Sequence, residues 1–106
     1  MSESVGSDDR ATEEGLRTLD HVRGMKDEFV DFLSGLCLVE SPTDHPATQS
    51  GVHALLEPAF SDLGYDVRVV EGRTSGNHLL AMPKRRAKRG PSQLLIGHSD
   101  TVWPLE

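Results

Sequence analysis

Leu16, Leu19, Val22, Met25, Phe29, Phe32, Leu33 and Leu36 recur at steps of three and four, the period of a long helix that buries one face. Thr12 can cap this helix, and Glu13 and Glu14 fall in its first turn, where the dipole favours negative charge. Asp20, Arg23, Asp27 and Asp31 share the opposite arc, while Lys26 sits at the edge of the apolar stripe, where its stem can lie over apolar surface. Gly24 weakens the middle of the helix. The pattern should stop near Val39, because Ser41-Pro42-Thr43-Asp44-His45-Pro46 carries two prolines, and the residue before each is pushed out of helical geometry. Upstream, residues 1–11 have no period and read as a disordered tail, so the folded segment is expected over 12–106.

Val52, Leu55, Leu56, Ala59, Phe60 and Leu63 predict a second amphipathic helix, closed by Gly64 in the left-handed conformation. Pro58 lies inside it and should kink or break it. Two antiparallel strands are expected next, Asp66–Glu71 with Val67 and Val69 on one face, and His78–Met82, joined by residues 72–77. A third strand is expected over Gln93–Gly97, whose Leu94-Leu95-Ile96 run is apolar on both faces, as in a strand covered on both sides. The fold class is therefore α/β, two helices followed by three strands of a mixed sheet.

Composition narrows the range of functions. The chain has 106 residues, one domain at most, with 36% hydrophobic and 26% charged residues, too apolar for a wholly disordered chain. Its longest apolar runs, Leu36–Val39 and Leu79–Met82, are far below the ~20 residues of a membrane-spanning helix. The acidic start, with no apolar stretch behind it, resembles neither a secretory signal nor an arginine-rich transit peptide, so a cytoplasmic protein with no membrane partner is expected. Cys37, the only cysteine, rules out an internal disulfide and reads as a small core residue.

The net charge is −6, but residues 72–99 hold six bases and no acid. Five of these bases lie in Lys84-Arg85-Arg86-Ala87-Lys88-Arg89, between Pro83 and Gly90-Pro91, which marks a solvated connecting loop. No neighbouring aromatic residue is available to stack on bases, and no nucleic-acid partner is expected.

The densest chemistry follows the third predicted strand, in Gly97-His98-Ser99-Asp100-Thr101-Val102-Trp103-Pro104. Ligands of open α/β sheets bind beyond the carboxyl ends of strands. If the extended conformation continues, a period of two sets His98 and Asp100 on one face with Ser99 pointing away. A carboxylate beside an imidazole fixes its tautomer and raises its basicity, as a metal-ligating histidine requires. His21, His45, His53 and His78 have no close ligand spacing to one another and read as non-ligands.

The run Leu94–Pro104 resembles the first metal-binding motif of the zinc metallopeptidase family of aminoacylase, glutamate carboxypeptidase and diaminopimelate desuccinylase, and is closest to the glutamate carboxypeptidase branch. Val39-Glu40-Ser41-Pro42-Thr43 after a long helix, and Leu63-Gly64-Tyr65 after a second, extend the resemblance over roughly residues 25–104. It implies that the chain is the N-terminal part of a metallopeptidase catalytic domain. His98 matches the first zinc ligand and Asp100 the catalytic acid that orients it. The resemblance further implies two zinc ions joined by a bridging carboxylate and a hydroxide, a glutamate as general base, and a peptide or N-acyl amino acid substrate with a free carboxylate. The complete protein could be a homodimer. In this family the remaining ligands and the general base lie downstream of the motif, so the 106 residues are expected to be a truncated fragment, inactive alone and without tight zinc affinity.

Two other readings start from the same residues. Gly97-His98-Ser99 can open a serine-hydrolase elbow with Ser99 as nucleophile, against which stand Thr101, where the tight turn wants glycine, and Pro104, within the required helix. Alternatively, the chain is a noncatalytic α/β module that binds an anionic partner through residues 84–89.

Overall fold

The computed structural model describes residues 3–86 and 88–106, with side chains in the first helix from Asp9 onward. The helices are α1 (Glu3–Gly24), α2 (Lys26–Leu38) and α3 (Gln49–Asp62), and the strands are β1 (Tyr65–Val70) and β2 (His78–Pro83). The chain divides into two compact units, Met1–Gly35 and Leu36–Glu106.

In the first unit, α1 begins at Glu3 and runs through most of the segment expected to be a tail, so Thr12 lies inside the helix instead of capping it. No proline interrupts residues 3–24, and the helix propagates. The expected single long helix is divided at Met25, just after Gly24. There the Met25 amide bonds to the Val22 carbonyl at 3.1 Å, a three-residue step that tightens the turn, before Phe29 resumes the four-residue step to Met25 at 3.0 Å. The apolar residues of the expected stripe lie in the two helices, yet Leu16, Leu19, Val22, Phe29, Phe32 and Leu33 stay 41–59% exposed. α2 buries no residue, and Cys37, expected in the core, is exposed with it. Helical periodicity fixes which residues share a face; it does not supply a surface to cover them.

In the second unit, α2 stops at Leu38, ahead of the proline-rich segment. A single 3₁₀ turn, Pro46–Thr48, leads into α3, which continues through Pro58 where a kink or break was expected. The proline removes the amide that would bond the Ala54 carbonyl, but Ala54 is exposed, so water can take that bond. Gly64 ends the helix at φ 89°, in the left-handed region as predicted. β1 and β2 pair antiparallel from Tyr65↔Pro83 to Val70↔His78. Val67 and Val69 face one way, and Tyr65 meets Phe60 of α3 edge-on at 6.0 Å between ring centroids.

Among the described residues the sheet has two strands. Residues 93–97 form no strand, and Leu94, Leu95 and Ile96 are 81–87% exposed, which corrects the expected three-stranded mixed sheet. An apolar run becomes a buried strand only where a neighbouring backbone pairs with it and layers cover both faces, and no described strand does the first. The basic segment is exposed and irregular on both sides of residue 87, which itself lies outside the described residues. No described helix is long and apolar enough to cross a membrane.

The most buried part of the second unit is the turn between α2 and α3. Ser41 and Pro42 of the turn and Gln49, Val52 and His53 of the first turns of α3 are the buried residues among those described, and three of the five are polar. A polar centre is stable only if its groups are paired, and the pairing here runs to the end of the chain.

Candidate functional site

Residues 99–101 are laced to residues 41–43. Proline pushes the residue before it into extended geometry, so Ser41 presents strand-like backbone groups ahead of Pro42, which has no amide of its own, and Thr43 opens the turn that follows. The Thr101 amide donates to the Ser41 carbonyl at 2.8 Å, and the Thr43 amide donates to the Thr101 carbonyl at 2.9 Å. Pro42 and Thr101 thereby form an isolated parallel bridge.

Gln49, the first residue of α3, closes the seat. Its Nε2 donates to the Ser41 carbonyl at 3.0 Å, and its Oε1 accepts the Ser99 hydroxyl at 3.0 Å. The Ser41 hydroxyl then donates to the Ser99 carbonyl at 2.8 Å. An amide side chain fits because it offers a donor to a carbonyl and an acceptor to a hydroxyl. Gln49 is only 5% exposed, and among the described residues no buried side-chain nitrogen or oxygen lacks a partner. Gly76, in the β1–β2 loop, lies close above it: a Cβ there would stand 2.6 Å from Gln49 Cγ and 3.1 Å from the Pro46 carbonyl oxygen.

With Ser99 turned inward, His98 and Asp100 lie on the other side, as the period of two predicts. His98 Nδ1 is 3.2 Å from Asp100 Oδ1 and 3.1 Å from the Asp100 carbonyl oxygen. Both partners only accept, so Nδ1 carries the proton and the lone pair of the neutral ring is at Nε2. The imidazole is 84% exposed, the Asp100 side chain 35%. The second carboxylate oxygen of Asp100, Oδ2, accepts the Thr43 hydroxyl at 2.7 Å. That hydrogen bond, above all, holds the Asp100 carboxyl below its ordinary range; partial desolvation pushes the other way, and its own amide and His98 add to the lowering.

The arrangement is one exposed imidazole nitrogen, oriented by an acid that is itself held by a threonine. Chemically it fits one metal ligand and its orienting carboxylate. Among the described residues no three His, Cys, Asp or Glu side chains converge to hold an ion, whereas a catalytic zinc takes three protein ligands. The other histidines stand elsewhere: His21 in α1, His53 buried in α3, His78 at the start of β2, and His45 paired through Nδ1 with Asp44 at 2.9 Å. The Ser99 hydroxyl is committed to an amide oxygen, which is no general base.

Ser41, Thr43 and Gln49 were not legible as parts of this site. Ser-Pro-Thr after a helix signals a turn rich in side-chain oxygens, but nothing local says that it pairs with residues 58 positions away. No family model matches the chain, and neither a curated protein nor a solved structure matches it.

Proposed function

We propose that this chain supplies the first ligand segment of a zinc metallopeptidase, a carboxypeptidase or N-acyl amino acid amidohydrolase that hydrolyses peptide or amide bonds. The observation that carries the reading is the His98–Asp100 pair: Nδ1–H is held by acceptors and Nε2 is free in solvent. His98 donates Nε2 to a metal, and Asp100 keeps the ring in the required tautomer and raises its basicity. Zinc, when bound, polarises the scissile carbonyl and supplies a nucleophile at neutral pH. One histidine and its acid do not complete a site, since a catalytic zinc takes three protein ligands, so this reading requires further ligands and a general base besides His98 and Asp100. The same reading places the enzyme in the cytoplasm with a small peptide or N-acyl amino acid as substrate.

The test is zinc-dependent hydrolysis of N-acyl amino acids and dipeptides by the protein encoded by the whole reading frame. His98→Ala should abolish turnover, and Asp100→Ala should reduce the rate or metal affinity by roughly 10- to 100-fold. Full activity in His98→Ala would refute the assignment. Ser99→Ala should leave turnover intact, which separates this reading from a serine hydrolase.

A further inference from the structure

We propose that Thr43 is a positioning residue for His98: its hydroxyl fixes the Asp100 carboxylate, and the carboxylate fixes the imidazole with Nε2 free. The inference rests on the metal-ligand reading of His98 only for the use made of Nε2; the chain of contacts itself is geometric.

A carboxylate on a short side chain can rotate, and in an exposed pair rotation costs little. Here one oxygen is pinned. Thr43 Oγ1 lies 2.7 Å from Asp100 Oδ2 and 3.1 Å from the Thr101 carbonyl oxygen, and a hydroxyl has one proton to give. The shorter contact is to the charged acceptor, which makes the stronger bond. With Oδ2 engaged, Oδ1 is left facing His98 Nδ1 at 3.2 Å, beside the Asp100 carbonyl oxygen at 3.1 Å, so the Nδ1 proton is shared between a backbone acceptor that Thr43 does not touch and a charged one that it fixes. Thr43 is in turn not free to drift, since its amide donates to the Thr101 carbonyl at 2.9 Å and the adjacent Pro42 is fully buried. The order of support thus runs from a buried proline to an exposed ring: Pro42, Thr43, Asp100, His98. No other described side chain hydrogen-bonds to either Asp100 oxygen.

Valine in place of Thr43 keeps the branched shape and the backbone bonds and deletes only the hydroxyl. The test is the tautomer ratio of His98 in the 106-residue chain, read from the imidazole nitrogen shifts at a pH where the ring is neutral. In the unaltered chain the Nδ1–H form should predominate. Thr43→Val should shift the ratio toward Nε2–H by about 3- to 10-fold, the worth of one ordinary hydrogen bond, and Thr43→Ser should restore it. Protected amides at Thr43 and Thr101 in both variants establish that the seat is still folded. An unchanged ratio in Thr43→Val, with those amides protected, overturns the proposal. So does failure of Thr43→Ser to restore it.

A second arm separates the two claims. Millimolar zinc should perturb the His98 Nε2 resonance first, and more weakly in Thr43→Val than in the unaltered chain. A tautomer that responds to Thr43 while zinc leaves Nε2 unperturbed would sink the metal reading and leave the positioning intact; zinc binding with no tautomer response would do the reverse.

Discussion

Residues 93–97 and residues 99–101 are separated by a single histidine and behave oppositely. The first segment is the more apolar, yet Leu94, Leu95 and Ile96 lie more than four-fifths exposed and belong to no strand. The second is polar, yet its backbone and side chains make five hydrogen bonds of 2.7–3.0 Å to residues 41, 43 and 49. Order in this unit follows the availability of complementary donors and acceptors more than apolar content. Apolar groups gain from burial in any direction, but a backbone settles only where its amides and carbonyls are answered.

The strongest way to break the contrast is at Gln49. Gln49→Ala removes two hydrogen bonds and leaves the Ser99 hydroxyl without its acceptor, while the Ser41 carbonyl keeps the Thr101 amide, so we expect a loss of about 2–4 kcal/mol in the stability of the 41–101 seat. Hydrogen exchange reads it directly: the Thr43 and Thr101 amides, slow in the unaltered chain, should approach the fast exchange of residues 94–96.

Next in size is Gly76→Ala. Its added Cβ meets Gln49 Cγ at 2.6 Å, closer than carbon atoms tolerate, so the loop or the glutamine must move. A cost of about 1–3 kcal/mol is expected in chemical denaturation, with Thr101 protection falling alongside.

Acid tests the same seat from its outer side. The Asp100 carboxyl is held below its ordinary value of 3.8, chiefly by the Thr43 hydroxyl, so the charged form favours the folded seat. A lowered carboxyl pKa contributes stability that is fully present above the unfolded value and is lost as pH falls through the folded one. Thr101 protection should therefore hold from neutral pH down to about 4 and decline below it, and Thr43→Val should flatten that decline.

The smallest effect belongs to the other member of the pair. Leu95→Ser in the 106-residue chain should change stability by less than about 0.5 kcal/mol, as for an ordinary surface position. A loss of several times that would show Leu95 buried in solution and erase the contrast.

What sequence reading recovers here is short in range. The stop of α2 before the prolines, the left-handed Gly64, the antiparallel pairing of β1 with β2 and the shared side of His98 and Asp100 each depend on a few adjacent residues. What it misses is either non-local or a matter of surroundings. Pro58 reads as a breaker until Ala54, whose carbonyl loses its amide partner, is found to be an exposed residue, and the 93–97 run reads as a strand until its pairing partner is sought. Thr43 and Gln49 carry no signature of their own, because their role exists only once the chain has folded back over fifty residues or more.

That return sets a kinetic order. Joining Ser41 to Ser99 closes a loop of 58 residues, whose entropic cost is roughly 3–4 kcal/mol above a length-independent constant. The helices and the β1–β2 hairpin close over far shorter spans and can form first, while the histidine end docks late. A nascent or partly unfolded chain would therefore hold its secondary structure before His98 acquires a fixed orientation, so that any chemistry at that ring reports completed folding.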